Sequence, residues 1–301
     1  MVELVRSETV QLFASGAAEQ IRDKAKELLD SGKVECFIGY ERSYDGINAR
    51  PAFIYNSEEV GRLVLDNACV HNLVKYLLNR KGKPTGIVVK PCDSRAINLL
   101  IAEKQIQRDD VFIVGVVCTG VPRSQDDKEA DKLKSTCYSC RLRMPVIYDF
   151  LVGEPVEEAA DIVPTYPDVT EVEGKSVAER LEFWRAHFER CIRCYACRAV
   201  CPGCYCTECF VDTLDPEWVG IRIAPSENRM WNTIRAFHLA GRCVDCNACE
   251  QACPMNIPLS LLNHKLDKEV LRLFDFQAGL DAETPMPLAT FKKEEKLGVE
   301  E

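Results

Sequence analysis

Two runs of four cysteines are the residues in this 301-residue sequence with the most specific chemistry. In each run, three cysteines are spaced by two residues, and a fourth, followed by proline, comes after three more: Cys191, Cys194, Cys197 and Cys201, then Cys243, Cys246, Cys249 and Cys253. This spacing is typical of 4Fe–4S clusters, each held by three cysteines of one run and the fourth of the other. A tetrahedral zinc site uses two cysteine pairs separated by a longer loop. We therefore predict two clusters, with the ligand sets Cys191, Cys194, Cys197 and Cys253, and Cys243, Cys246, Cys249 and Cys201.

Four cysteines in the first half form a second set. Residues 86–90 and 111–117 are apolar runs typical of buried parallel strands, with a helical pattern between them. Such a unit brings Cys92 and Cys118 to the carboxyl edge of neighbouring strands, where ligands bind in open α/β sheets. We interpret these two thiols, with the later pair, as ligands of a third cluster: Cys92, Cys118, Cys137 and Cys140. The alternative is that the first two are buried small hydrophobic residues and that the later pair binds zinc or nothing.

Three cysteines directly follow the first run and belong to neither set: Cys204, Cys206 and Cys209. Two interpretations stay open: an extra or alternative metal site that shares Cys69 or Cys36, or packed thiols that line the cluster domain. The histidines show no paired spacing and are interpreted as structural: His71, His187, His238 and His264. Arginines near the runs are expected to offset cluster charge, or to be ordinary surface residues: Arg193, Arg198 and Arg242.

The elements that must position the strand-end cysteines begin with a predicted helix that ends near residue 32. Residues 34–40 and 51–55 are predicted strands. From Asn56 we expect a longer helix with a buried stripe made of Val60, Leu63, Val64, Val70, Leu73, Val74 and Leu77. Asp93 is predicted to cap the helix between the two buried strands.

The second half is predicted to be mainly helical. A helix from Ser176 should deliver Cys191 from a buried face made of Val177, Leu181, Trp184 and Phe188. Further helices are expected over residues 228–239 and 258–274. The fold class is thus α/β: an open-sheet domain with a βαβ unit over residues 1–160, a mainly helical dicluster ferredoxin-like domain over 161–275, and a polar tail over 276–301 that lies on a partner or stays mobile.

Composition bounds the function classes. The formal charge is −9, which makes nucleic acid an unlikely partner. The N-terminus lacks a basic segment followed by an apolar core, and no window reaches about eighteen apolar residues, so we expect a cytoplasmic protein without a membrane span. In such a protein, 17 cysteines indicate metal or redox work rather than disulfides.

Two resemblances rest on these motifs. Residues 191–254 resemble the dicluster ferredoxin module of anaerobic electron-transfer subunits. Residues 34–153 resemble the coenzyme F420 hydrogenase and formate dehydrogenase beta-subunit family, through the Pro-Cys at Cys92, the strand-end Cys118, and the later cysteine pair leading to Tyr148, Asp149 and Gly153. The second resemblance implies a 4Fe–4S cluster beside an FAD. Members of that family carry a glycine-rich segment near the flavin, where this chain has the bulkier residues 66–72.

These observations predict an iron–sulfur electron-transfer subunit of a cytoplasmic anaerobic oxidoreductase complex. It would relay single electrons between a flavin, dehydrogenase or hydrogenase module and a heterodisulfide-reductase-like partner, with hydrogenase and formate dehydrogenase subunits as the other expected partners. The alternative is an FAD-containing catalytic subunit that oxidises or reduces coenzyme F420, NAD(P)H or ferredoxin. The Gly-x-Gly-x-x-Gly fingerprint that binds a dinucleotide is absent from the sequence. A free ferredoxin-like carrier is a third, weaker interpretation.

Overall fold

The computed structural model of the protein describes residues 13–121, 136–137, 140, 142–157 and 164–290. The strands in these residues are β1 (Cys36–Arg42), β2 (Ala49–Ile54), β3 (Leu63–Val64), β4 (Thr85–Val89), β5 (Val111–Val116) and β6 (Phe150–Val152). The helices are α1 (Ala17–Asp30), α2 (Pro91–Ala102), α3 (Pro167–Glu173), α4 (Val177–Glu189), α5 (Ala196–Ala199), α6 (Pro225–His238), α7 (Ala248–Gln251) and α8 (Leu259–Phe274). The α/β prediction is confirmed.

The described strands form a mixed sheet in the order β2-β1-β4-β5-β6, with β3 paired to the end of β1. β2 and β3 run antiparallel to β1, whereas β1, β4, β5 and β6 are parallel to their neighbours in that order. All of β4 is buried and nearly all of β5, as expected for strands covered on both faces. The predicted unit of β4, α2 and β5 is therefore present, and it places the chain that follows both strands at one edge of the sheet.

The prediction of a long helix from Asn56 is wrong. Asn56 does act as a cap, because its side chain accepts a hydrogen bond from the Glu58 amide at 3.1 Å, but the helix it starts is a 3₁₀ helix over Ser57–Arg62. The chain then enters β3, turns, and forms a second 3₁₀ helix over Val74–Asn79. Most of the predicted stripe is buried, but its residues are divided among β3, the two 3₁₀ helices and the turn between them.

The helix predicted from Ser176 is present as α4. The Ser176 hydroxyl accepts a hydrogen bond from the Glu179 amide, and the Glu179 carboxylate accepts one from the Ser176 amide, so the two residues form a capping box. Its predicted buried face is only partly correct, since Val177 is 73% exposed and Leu181 is 60% exposed. Phe188 alone is fully buried, and the Cys191 amide donates to its carbonyl at 3.1 Å. The helix therefore positions the first cysteine run through its last turn.

The second half packs directly on the sheet half. Val244 is part of the same hydrophobic core as the sheet, and Tyr205 and Cys246 pack against that core. Glu103 at the end of α2 accepts hydrogen bonds from Arg242 at 2.6 Å and from the Tyr205 hydroxyl. A smaller apolar cluster in the second half centres on Cys197, Trp231, Cys249, Ile257 and Leu259. The two halves thus share one extended core rather than meeting only at a linker.

The segment expected to be a free polar tail packs on α2 over its described part. Ala278 is buried in the sheet core, and its carbonyl accepts a hydrogen bond from Arg95 at 2.9 Å. The Asn98 side chain donates to the carbonyls of Gly279 and Leu280 at 3.2 and 3.3 Å. Residues 291–301 lie outside the described residues. None of the described helices combines the length and apolar character that crossing a bilayer requires.

Candidate metal centres

The two cysteine runs share an unusual backbone. Arg193 and Asp245 precede the second cysteine of their runs, Tyr195 and Asn247 follow it, and all four have positive φ between 47° and 59°. The short helices α5 and α7 then start at equivalent positions. Left-handed backbone at non-glycine residues costs about 1 kcal/mol or more each and persists only where the surroundings require it. Both runs are therefore wound in the same way, as expected for two loops that wrap similar groups.

The four cysteines predicted for the second cluster line one cavity. The wall of this small cavity includes Cys201, Cys243, Cys246 and Cys249. Cys201 comes from the first run and meets the second run here, as the crossed ligand pattern requires. The Asn263 side chain donates to the Cys249 sulfur at 3.9 Å. The number, type and convergence of these sulfur donors fit a 4Fe–4S group.

The set predicted for the first cluster lies beside it and closer to solvent. Burial raises the pKa of the Cys197 thiol, and the nearby Cys191 and Cys253 side chains add to the increase. Cys191 and Cys253 both pack against the apolar cluster that contains Cys197. Cys194 is exposed, whereas the Cys243, Cys246 and Cys249 thiols of the second set are buried or half-buried. The first site is therefore the one with a ligand at the surface.

The strand-end cysteines also come together. Burial raises the pKa of Cys118 to about 11, and Cys137 and Cys140 contribute to the increase. Cys92 is the second residue of α2 rather than a residue of the strand, and its pKa is raised first by burial and then by neighbours that include Cys246 and Cys118. Cys92 thus lies within electrostatic range of two other thiols, one from its own predicted set and one from the second cluster set. Tyr138, Ser139 and Arg141 are outside the described residues.

A buried polar network that the sequence did not predict supports Cys92. Lys90 is fully buried; its Nζ lies 2.8 Å from an Asp93 carboxylate oxygen, donates to the His71 carbonyl at 2.8 Å, and contacts the Tyr40 hydroxyl. Asp93 caps the helix as predicted, but from inside its first turn rather than from the N-cap position, which Lys90 occupies. It is the third residue of α2 and accepts a hydrogen bond from the Lys90 amide at 3.2 Å. A buried ion pair beside Cys92 fixes the start of α2 against the sheet.

The arginines predicted to offset cluster charge have other partners. Arg198 pairs with both carboxylate oxygens of Asp212, Arg242 pairs with Glu103, and Arg193 donates to the carbonyls of Ile221 and Arg222. Arg235 of α6 was not predicted, although it shares the buried helix face of Trp231 four residues earlier, a pattern that could have revealed it. Its Nη2 donates to the Cys197 carbonyl at 3.0 Å.

The remaining cysteines fall in several places. Cys204 lies beside Cys201, which lowers the Cys204 pKa to about 7; Cys206 is exposed, and Cys209 packs on the smaller apolar cluster. Cys69 is buried beside Asp66, and Cys36 starts β1 at the opposite edge of the sheet, so neither joins the three. Across the part of the chain that the structure describes, no three Cys, His, Asp or Glu side chains are close enough to hold a single metal ion. A cubane spreads its four sulfurs wider than a single ion does, so this finding concerns single-ion sites.

Residues 66–72, which replace the glycine-rich flavin segment, are folded tightly onto the sheet. Ala68, Cys69, Val70 and Asn72 are each buried, and the His71 carbonyl is engaged by Lys90 and Tyr40. These residues are therefore packed in the segment that corresponds to the glycine-rich one of the resembling family. The residues present at this position therefore do not form an open flavin cradle.

Comparison with known proteins identifies relatives of this chain among redox subunits. No family model matches the chain. The F420-dependent formate dehydrogenase subunit beta of Methanocaldococcus jannaschii is 24% identical to it over 86% of this chain and 91% of that relative. The F420-dependent formate dehydrogenase 1 subunit beta of Methanococcus maripaludis is 25% identical over 87% of this chain and 91% of its own length. The resemblance predicted from the strand-end cysteines is thereby confirmed, and the chain is a relative of the formate dehydrogenase beta subunits.

Proposed function

We propose that this protein is an electron-transfer subunit of an oxidoreductase complex, carrying single electrons through three 4Fe–4S sites. The observation that carries the proposal is the position of Cys92, which lies near enough to both Cys118 of the strand-end set and Cys246 of the second cluster set for their charges to raise its pKa. This proximity links the two halves of the molecule at their cysteines. The names of the relatives, as formate dehydrogenase beta subunits, support the same class of function.

The proposed order of sites follows from burial. The strand-end site adjoins the second site through Cys92 and Cys246, and the second site adjoins the first through the crossed Cys201 and the buried Cys197. The first site reaches the surface at the exposed Cys194. When bound, a 4Fe–4S cluster held by four thiolates takes up or releases one electron without making or breaking substrate bonds. The role of the protein is then to hold the sites in sequence and to keep water from the inner two.

The proposed partners are the modules at the two ends of this series. A flavin, dehydrogenase or hydrogenase module would exchange electrons at the strand-end site, and a heterodisulfide-reductase-like subunit would do so at Cys194. Acidic composition and the exposed ligand both suit transfer between proteins rather than catalysis on a small molecule.

Counting iron and acid-labile sulfide in anaerobically purified protein tests the proposal. We expect about twelve of each per chain, and about eight in a Cys92→Ser variant whose ferredoxin-type signals persist in electron paramagnetic resonance (EPR) spectra. Cys36→Ser is the matched control, because Cys36 is a buried cysteine of the same sheet at its opposite edge, and it should keep all twelve. About eight in the wild-type protein contradicts the third site.

The same preparation separates the relay from the alternative function. Stoichiometric FAD bound to the purified wild-type chain would favour the catalytic flavoprotein, in spite of the filled segment at residues 66–72. We expect no bound flavin in the isolated chain, measured by absorbance and by release on denaturation.

A further inference from the structure

Arg235 is a buried cation, and it forms no ion pair with a carboxylate among the residues that the structure describes. Its side chain is 4% exposed, it lies on α6, and its Nε has no hydrogen-bond partner in the described part of the chain. The titratable groups that act on its pKa most strongly are four thiols: Cys249, Cys201, Cys204 and Cys197. Two of these, Cys197 and Cys249, belong to different predicted cluster sets.

Such an arrangement needs an anion to be stable. An unpaired guanidinium inside a protein costs several kcal/mol, and proteins retain one only where a counter-charge or a full set of acceptors is present. Neutral thiols do not supply that charge, but two thiolate-ligated clusters do, since each carries a net negative charge. The only acceptor given to its Nη2 by the described residues is the Cys197 carbonyl, which lies in the first run itself.

We propose that Arg235 is a positioning residue for electron transfer: its fixed positive charge between the two ferredoxin-type clusters raises the reduction potential of both. This inference rests on the proposed function. Reduction adds an electron to a cluster that is already anionic, so a nearby cation stabilises the reduced state more than the oxidised state. The low dielectric of the buried site strengthens this effect compared with that of an exposed arginine.

EPR-monitored redox titration of the anaerobic holoprotein tests the proposal with Arg235→Gln and Arg235→Lys. At a potential fixed at the wild-type midpoint, we expect the ratio of reduced to oxidised ferredoxin-type cluster to fall about tenfold in Arg235→Gln, which corresponds to about 59 mV for a one-electron couple. Arg235→Lys keeps the charge and should recover most of the shift. Arg229→Gln makes the same charge change at an exposed position of the same helix and should leave the ratio of reduced to oxidised cluster, at that fixed potential, within twofold of wild type.

The outcomes separate the possible failures. Equal midpoints in Arg235→Gln and wild type would overturn the role of Arg235 while leaving the clusters in place. A Gln variant that assembles no clusters while the Lys variant assembles both supports the requirement for charge. Loss of clusters in both variants overturns the proposal in favour of a purely structural guanidinium. A wild-type protein that shows no pair of 4Fe–4S signals contradicts the proposed function itself.

Discussion

His264 forms two ion pairs that link three elements of the second half. Its ring nitrogens lie 2.6 Å from Asp168 of α3 and 2.5 Å from Asp245, which sits between two cysteines of the second run. Burial alone would lower the pKa of His264, but the two carboxylates raise it to about 11. The imidazolium is thus a permanent cation at neutral pH, which agrees with the structural role predicted for this histidine.

A His264→Gln substitution should therefore destabilise the second half, by about 2 kcal/mol, because it leaves two partly buried carboxylates without their cation. Since the folded-state pKa lies above the ordinary value near 6.5, the contribution is fully present below pH 6.5 and is lost as pH rises toward 11. Anaerobic urea unfolding at pH 6.5 and pH 10 measures this. The difference in the free energy of unfolding between wild type and variant should be smaller at pH 10 than at pH 6.5. A larger difference at pH 10 would contradict this account of the His264 charge. His187→Gln, beside Arg190 on α4, is the control.

Residue types and spacing predicted the cysteine sets because thiol chemistry depends on local sequence. Arg235 and the Lys90–Asp93 ion pair were not predicted. They are unusual because their charged groups are buried, and local sequence does not show burial or which charged groups pair. A lysine or arginine in a helical sequence is ordinarily an exposed residue. The three arginines chosen for their nearness in sequence to the cysteines are instead paired with carboxylates or backbone carbonyls.

At the scale of elements, α2 has two functions. Its first turn carries Cys92, and further along it Arg95 and Asn98 hold the C-terminal segment through backbone carbonyls. Gly279 makes this contact possible: its φ is +74°, and a Cβ there would lie 2.0 Å from the Arg95 carbonyl oxygen. The segment can approach the helix only without a side chain at that position.

Gly279→Ala should release residues 276–290 from α2, because the clash is with backbone and cannot be relieved by a rotamer change. We expect faster hydrogen exchange and proteolysis of this segment and a loss of about 2 kcal/mol in stability. Gly46→Ala is a matched control: Gly46 has a similar φ of +70° with nothing within 4 Å of a Cβ, so it reports the backbone cost alone. Equal protection of the segment in both variants would contradict this account.

A helix or strand could be predicted where one continuous sequence pattern corresponded to a single element. The buried runs of β4 and β5 and the capped start of α4 are local signals, and all three are present. The helix expected from Asn56 failed because apolar residues at three- and four-residue steps were divided between two 3₁₀ helices, a strand and a turn. Tertiary packing on the sheet, which no local spacing encodes, decided that division.

At the scale of the whole molecule, the exposed end of the proposed series has an apolar rim. Ile221 and Ile223 are 82% and 60% exposed, and Arg193, beside Cys194, binds the carbonyl of Ile221. A redox subunit docked here would bury these side chains and bring its own centre close to the first site. The rim thus fits a protein partner better than a small diffusing substrate.

The double variant Ile221→Glu with Ile223→Glu should slow electron transfer to the partner subunit at least tenfold. Docking would then have to remove water from two new carboxylates in the contact surface. Iron content and EPR spectra should stay as in wild type, since neither residue is a ligand. Stopped-flow reduction with the native complex measures the rate. Tyr44→Glu, on the exposed turn after β1, is the control, and an equal loss of rate there would argue against a specific docking surface.

The crossed arrangement of Cys201 and Cys253 also dictates when clusters can be inserted during synthesis. On the proposed ligand sets, a nascent chain that has only emerged past the first run holds three thiols for one cluster and one for the other, and completes neither. The four strand-end cysteines all precede residue 141, so that site has its full ligand set while the second half is still being translated. On these proposed ligand sets we expect cluster acquisition in two stages: an early one for the sheet site, and a late, paired one in which both ferredoxin-type clusters are acquired or neither is.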